Sequence, residues 1–271
     1  MRGLLRWTAI LGVSTFALFP FYWTIVSSLK TGSDLFNVEY WPSRQTLANY
    51  VSVLSEKEFV GSLANSTLVA VLTVSVSLAI AAFAAFSLSR VEFRGRKRVL
   101  LMVLSVSMFP QVAVLSGMFE LVRVLGLYNQ TAGLALSYLI LVLPFTVWIL
   151  TSFMKEIPKE LEEAAILDGA RSWKILGRIF FPILAPSVVT TALLSFIVSW
   201  NEFLFALTLT LSSNSRTVPV AIAMLSGASQ FELPWGLLMA ASVIVTVPVM
   251  ILVLIFQKRI VSGLTAGAVK G

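Results

Sequence analysis

Six stretches of the chain are each long and apolar enough to cross a lipid bilayer: residues 7–29, 62–88, 99–122, 132–153, 185–211 and 237–256. The hydrocarbon core is about 30 Å thick and a helix rises about 1.5 Å per residue, so a crossing needs about 20 apolar residues. None of the runs alternates as a membrane-barrel strand does, which leaves helix as the state that satisfies every backbone N–H and C=O within lipid. Composition agrees. Of 271 residues, 58% are hydrophobic and 12% charged, against about 25% charged in a water-soluble domain. Disorder is excluded because apolar content is far too high. The sequence predicts an all-α, polytopic membrane protein, with a single membrane domain over residues 1–271. The first run is too long for a secretory signal core and lacks a small-residue cleavage site, so it reads as a retained helix.

Charge sets the topology. The net charge is +7, with 20 Lys and Arg against 13 Asp and Glu. With the N-terminus inside, fifteen of the twenty basic residues fall on the inner side: Arg2 and Arg6, the run Arg90 to Arg98, the five between Lys155 and Arg178, and Lys258, Arg259 and Lys270. Cytoplasmic loops are enriched in Lys and Arg, so both termini are expected in the cytoplasm. The basic balance is thereby accounted for, and nucleic acid is not an expected partner. Membrane lipid is.

Histidine and cysteine are both absent. Imidazole bases, thiolate nucleophiles, Fe–S clusters and His- or Cys-ligated metals are therefore excluded, and no clustered catalytic set appears, which counts against an integral-membrane enzyme. Neither a catalytic residue nor a metal site is expected. No G-x-x-x-x-G-K-[ST] loop occurs, so a nucleotide, if one drives the protein, sits on another chain.

Three loops are longer than turns. Residues 30–61 contain a weakly amphipathic stretch, 47–54, expected as a short interfacial helix. Residues 226–235 mix small residues with Gln230, Phe231, Glu232 and Trp235, which suits either an aromatic anchor at the interface or a surface that meets an external partner. The inner loop 154–182 holds a short helix opening at Pro158, with Glu160, Glu162 and Glu163 near its positive end. Leu161, Ala164, Ala165 and Asp168 recur at helical spacing and make one small face. Gly169 can take φ > 0 and end the helix in a sharp turn. A second helix, 172–180, is expected to lead to Pro182 and back into the bilayer. Such a pair either covers helix ends or forms a knob that meets a partner.

The residues of this loop carry a resemblance. Glu163-Ala164-Ala165, then Asp168-Gly169-Ala170, nine residues to Ile179, then Pro182, resemble the coupling-loop signature of ATP-binding cassette importer permeases, with Phe181 where that pattern usually has leucine. Asn49-Tyr50-Val51, Asn65-Ser66, Ser199-Trp200-Asn201-Glu202-Phe203 and the ending from Phe256 are similar to the carbohydrate-uptake branch, in particular to the smaller membrane subunit of maltose- and trehalose-type importers. The resemblance implies a permease in a prokaryotic cell membrane, importing a sugar with a second, different permease chain, two cytoplasmic ATP-binding subunits and an extracytoplasmic solute-binding protein. It implies no cofactor of its own, ATP and magnesium being held by the ATPase partners. Glu163, Ala164, Ala165, Asp168 and Gly169 would then couple to the ATPase, Gln230, Phe231, Glu232 and Trp235 would meet the binding protein, and the tail would reach the ATPase interface.

Glu202 is the one acidic residue well inside a predicted span. A carboxylate there costs on the order of 2.5–3.5 kcal/mol on insertion scales, so it must face a cavity or a partner group. Two readings stand: a sugar path shared with Asn201 and Trp200, or a hydrogen bond between helices. An ion-coupled secondary transporter is the alternative of another class, although it would favour several intramembrane carboxylates and internal repeats.

Overall fold

The apolar runs become helices in the computed structural model, which describes residues 2–225 and 234–266. In chain order these are α1 (Arg2–Ser28), α2 (Ala48–Ser55), α3 (Lys57–Arg90), α4 (Arg96–Val106), α5 (Gln111–Val124), α6 (Thr131–Glu156), α7 (Lys159–Leu167), α8 (Ser172–Ile175), α9 (Phe181–Trp200), α10 (Leu204–Leu209), α11 (Val218–Leu225) and α12 (Trp235–Ala266). No strand occurs among the described residues. Five helical segments are long and apolar enough to cross a membrane, and the count reaches six if the bent pair of α4 and α5 is taken as one span.

That bent pair corrects the third expected span. Residues 99–122 do not form one straight helix: α4 and α5 meet at 91° across a break. The last turn of α4 tightens to i→i−3 bonds, the Ser107, Met108 and Phe109 N–H groups donating to the carbonyls of Leu104, Ser105 and Val106 respectively. Pro110 then starts α5 at φ −58° and ψ 130°. Proline has no N–H to continue the ladder and disfavours helical backbone in the residue before it.

The fifth span differs too. Helix α9 ends at Trp200, and residues 201–203 separate it from the short α10. At its other end no break precedes Pro182. Helix α8 passes through a π-helical turn, Leu176–Phe180, straight into α9.

The chain divides into two compact units: Met1–Leu63 with Val218–Met250, and Ala64–Thr217 with Ile251–Gly271. In the first, Asn49 of α2 donates to the carbonyls of Ser28 (2.8 Å) and Lys30 (2.9 Å), fastening α2 to the end of α1. The fit requires glycine at the start of α12, because a Cβ on Gly236 would stand 2.7 Å from the Asn49 amide nitrogen. Lys30 is buried, and its ammonium donates to the carbonyls of Asn37 (2.9 Å) and Glu39 (3.0 Å) under the Trp23 ring.

The second unit centres on α6 packed against α9. Leu150 and Met154 of α6 bury against Leu184 of α9 and against Ala81, Ala85 and Leu88 of α3. Small residues at i and i+4 let helices approach closely in a membrane. At the start of α6, Asn129 takes the left-handed φ of 60°. Its side-chain oxygen accepts the N–H groups of Leu211 (2.8 Å) and Ser212 (3.0 Å), and Ser215 donates to its carbonyl at 2.7 Å. Asn65 of α3 donates to the carbonyls of Asn214 and Arg216. The segment 209–216 is thus pinned from two sides.

Candidate functional site

Helix α7 is amphipathic in a way that leaves one face without company. Pro158 opens it at φ −55°, and Glu160 and Glu162 occupy its first turn, where the helix dipole favours negative charge. It closes at Gly169, φ +76°. The Gly169 N–H donates to Ile166 O and the Ala170 N–H to Ala165 O, both at 2.9 Å. These are the paired bonds of a Schellman cap, with glycine at its left-handed position, and Ala170 packs against the same apolar core as Ala165.

Ala165, only 7% exposed, packs onto the core formed by Met154, Ile157, Ile175 and Phe180. Glu162 points the same way and lies 3.6 Å from the Arg90 guanidinium of α3. At 100° per residue the opposite direction holds Glu160, Glu163, Ala164 and Leu167, and all four are exposed. Leu167 is 89% exposed, and Leu161, Ile166 and Trp173 of α8 are exposed too. Glu163 and Asp168 make no ion pair and no side-chain hydrogen bond among the described residues. Of the five loop residues singled out from sequence, Glu163, Ala164, Asp168 and Gly169 therefore stand on the open side, while Ala165 turns inward. Leu167 and Trp173 were missed; a period read only for small residues passes over them.

The second constellation is rearranged. Glu202 is buried, and its two carboxylate oxygens accept the N–H groups of Phe205 (2.9 Å) and Ala206 (3.1 Å). It caps α10. The first N–H groups of a helix have no partner of their own, and at span depth water is not there to supply one. The Tyr138 hydroxyl neighbours this carboxylate. Tyr138 belongs to α6, so the carboxylate has an interhelical neighbour as well as the backbone donors of α10, which the sequence does not announce. Trp200 is 2% exposed with its ring stacked on Phe196, centroids 5.5 Å apart, so it offers no free face to a pyranose. Asn201 is exposed and donates back to the Ile197 carbonyl.

Open polar groups in a span occur instead at the α4–α5 break. Ser107 and Gln111, with Phe109, Ile140, Val198 and Phe205, line a cavity of about 170 Å³. Irregular backbone at membrane depth is tolerated where it is buried in protein or lines a cavity. Trp235 begins α12 and is partly exposed. Gln230, Phe231 and Glu232 lie outside the described residues, as does the tail from 267.

Residues 77–265 match the family described as "Binding-protein-dependent transport system inner membrane component". The trehalose/maltose transport system permease protein of Thermococcus litoralis is 46% identical over 261 residues, covering 94% of this chain and 92% of that one. The trehalose transport system permease protein of Mycobacterium tuberculosis is 39% identical over 256 residues, covering 94% and 93%. Among solved structures, a bacterial ABC transporter involved in the import of the acidic polysaccharide alginate superimposes with a TM-score of 0.83 at 23% identity, over 94% of this chain and 95% of that one.

Proposed function

This chain belongs to the family of binding-protein-dependent transport system inner membrane components, and on that premise we propose that it is the permease subunit of an ATP-driven sugar importer, for a di- or oligosaccharide of the trehalose or maltose kind. Its partners are a second, different permease, two cytoplasmic ATP-binding chains that hold ATP and magnesium, and an extracytoplasmic binding protein. Both termini and α7 lie on the cytoplasmic side.

The observation that carries this reading is the two-sidedness of α7. One face is fixed to the spans through Ala165 and Glu162; the other presents Leu167, Ala164 and the unpaired Glu163 and Asp168. An exposed leucine alone is unremarkable. Four exposed large apolar side chains on one short loop, Leu161, Ile166, Leu167 and Trp173, support a surface that meets another protein. Closure of the ATPases would push on that face, and the fixed face would pass the displacement to the helices.

The ion-coupled alternative loses its best residue, since the Glu202 carboxylate is engaged with the backbone of α10. The chain has no cysteine, so Leu167→Cys provides a unique attachment point for a photoreactive maleimide. In the assembled transporter, illumination should join this chain to an ATP-binding subunit. Labelling only of lipid, or of the binding protein, contradicts the proposal.

A further inference from the structure

Arg90, at the end of α3, is a basic residue that does not behave as a topology charge. Its side chain is 4% exposed. One guanidinium nitrogen, Nη2, donates to the carbonyls of Met154 (2.6 Å), in the last turn of α6, and Ile157 (2.7 Å), the residue that follows it. Its Nε faces the Glu162 carboxylate of α7 at 3.6 Å. Its planar carbon stands 4.8 Å over the ring of Phe180, in the π-helical turn that leads into α9. Phe180 in turn packs on Phe86, one turn before Arg90 on α3.

Four elements meet on one cation: α3 by its own backbone, α6 by two carbonyls, α7 by an ion pair and the α8–α9 turn by a cation–π contact. A planar fork with five donors can hold such different groups at once, whereas an ammonium is a point charge that cannot. A cation also suits the negative end of α6. The π-turn is a local irregularity of the kind frequent at functional sites.

From this geometry we infer that Arg90 is the positioning residue through which displacement of α7 reaches α3, α6 and α9 together. The inference rests on the proposal that α7 meets the ATPase, and it adds the connection on the membrane side. Glu162 cannot move without its countercharge, and that countercharge holds the ends of two spans and overlies the entry to a third. If Arg90 carried only stability, its loss would lower assembly and every activity in proportion. As a coupling element it instead sets how much sugar crosses per ATP hydrolysed.

The test uses the assembled transporter in vesicles, with Leu167→Cys crosslinking read beside transport. Arg90→Lys keeps the charge without the fork, and Glu162→Gln keeps the shape without the charge. Crosslinking and basal ATP hydrolysis should stay within about two-fold of the parent, while sugar moved per ATP falls at least about five-fold in Arg90→Lys and less in Glu162→Gln, the scale of a typical coupling energy. The double variant should be less impaired than the product of the single effects, because both act on one contact. An unchanged ratio with intact crosslinking overturns the role of Arg90 and leaves the docking of α7 standing. Absence of the crosslink in the chain with native Arg90 overturns the docking itself, and the inference with it. If Arg90→Lys does not assemble, Glu162→Gln decides, and an unaltered ratio there overturns the inference.

Discussion

Ala165 and Leu167 stand two residues apart on α7, one packed into the core at 7% exposure and the other almost fully bare at 89%. Opposite consequences follow for substitution. Leu167→Ala should leave the thermal unfolding of the detergent-solubilised chain unchanged to within about 0.5 kcal/mol, as surface changes do, yet weaken retention of the ATPase on purification. Ala165→Leu should cost about 1–3 kcal/mol by overpacking, visible as a lowered midpoint in the same melt.

Gly236 and Asn49 are in contact through space that a side chain would fill. Gly236→Ala should destabilise the chain by about 1–3 kcal/mol through the same overpacking. Adding Asn49→Ala should restore part of the loss by vacating the space, although it forfeits the bonds to Ser28 and Lys30. A thermal-shift series on the two single variants and the double variant checks the coupling. Additive losses would contradict the contact.

Glu202 serves as a cap, so its acceptors matter and its charge matters less. Glu202→Gln, which keeps one of the two acceptor oxygens, should retain ATP-driven uptake and show no new pH dependence. Glu202→Ala should cost about 1–2 kcal/mol, the usual loss on removing a cap. Uptake in vesicles and the melting midpoint read the two effects separately. Collapse of wild-type uptake on adding a protonophore, with ATP still high, would favour an ion-coupled mechanism instead.

Glu39 lies in the loop after α1, where the backbone N–H of Ser43, then its hydroxyl, hold the carboxyl below its ordinary pKa, with Lys30 adding to the effect. A carboxylate with a lowered folded-state pKa contributes stability above its unfolded pKa and loses it as pH falls through the folded value. Between pH 5 and 7 the melting midpoint of the wild type should therefore exceed that of Glu39→Gln by an amount that does not change with pH. Below about pH 4, where an ordinary glutamate protonates, wild type and variant should converge.

The apolar runs made the spans legible, because length and hydropathy are properties of a segment by itself. The break at 107–110 was not, although Pro110 marked the place. Pro20, Pro144, Pro186 and Pro248 lie inside continuous helices, so a proline in an apolar run does not of itself announce a 91° bend. The glycine turn at 169 could be read from its type and position. Which way α7 faces could not, since Ala164 and Ala165 look alike until the Arg90–Glu162 pair fixes the rotation. Arg90 itself was counted only as an inner-side charge. Its acceptors are backbone carbonyls 64 and 67 residues away, and a carbonyl leaves no mark in a sequence. Glu202 drew notice as a costly charge, while its use depended on the break after Trp200, which apolar composition conceals.

In the proposed function, α7, held in place by its glycine cap, passes the work of the ATPases to the spans. Gly169 has open space around it, so substitution there probes backbone conformation and not packing. Proline fixes φ near −65° and lacks an N–H, whereas Gly169 needs φ +76° and donates to Ile166. Asparagine tolerates the left-handed region best among other residues. The decisive measurement is ATP hydrolysis by the reconstituted transporter with and without sugar-loaded binding protein. The stimulation should vanish in Gly169→Pro and largely persist in Gly169→Asn, with the chain inserted and assembled in both. Full stimulation in Gly169→Pro would contradict the claim.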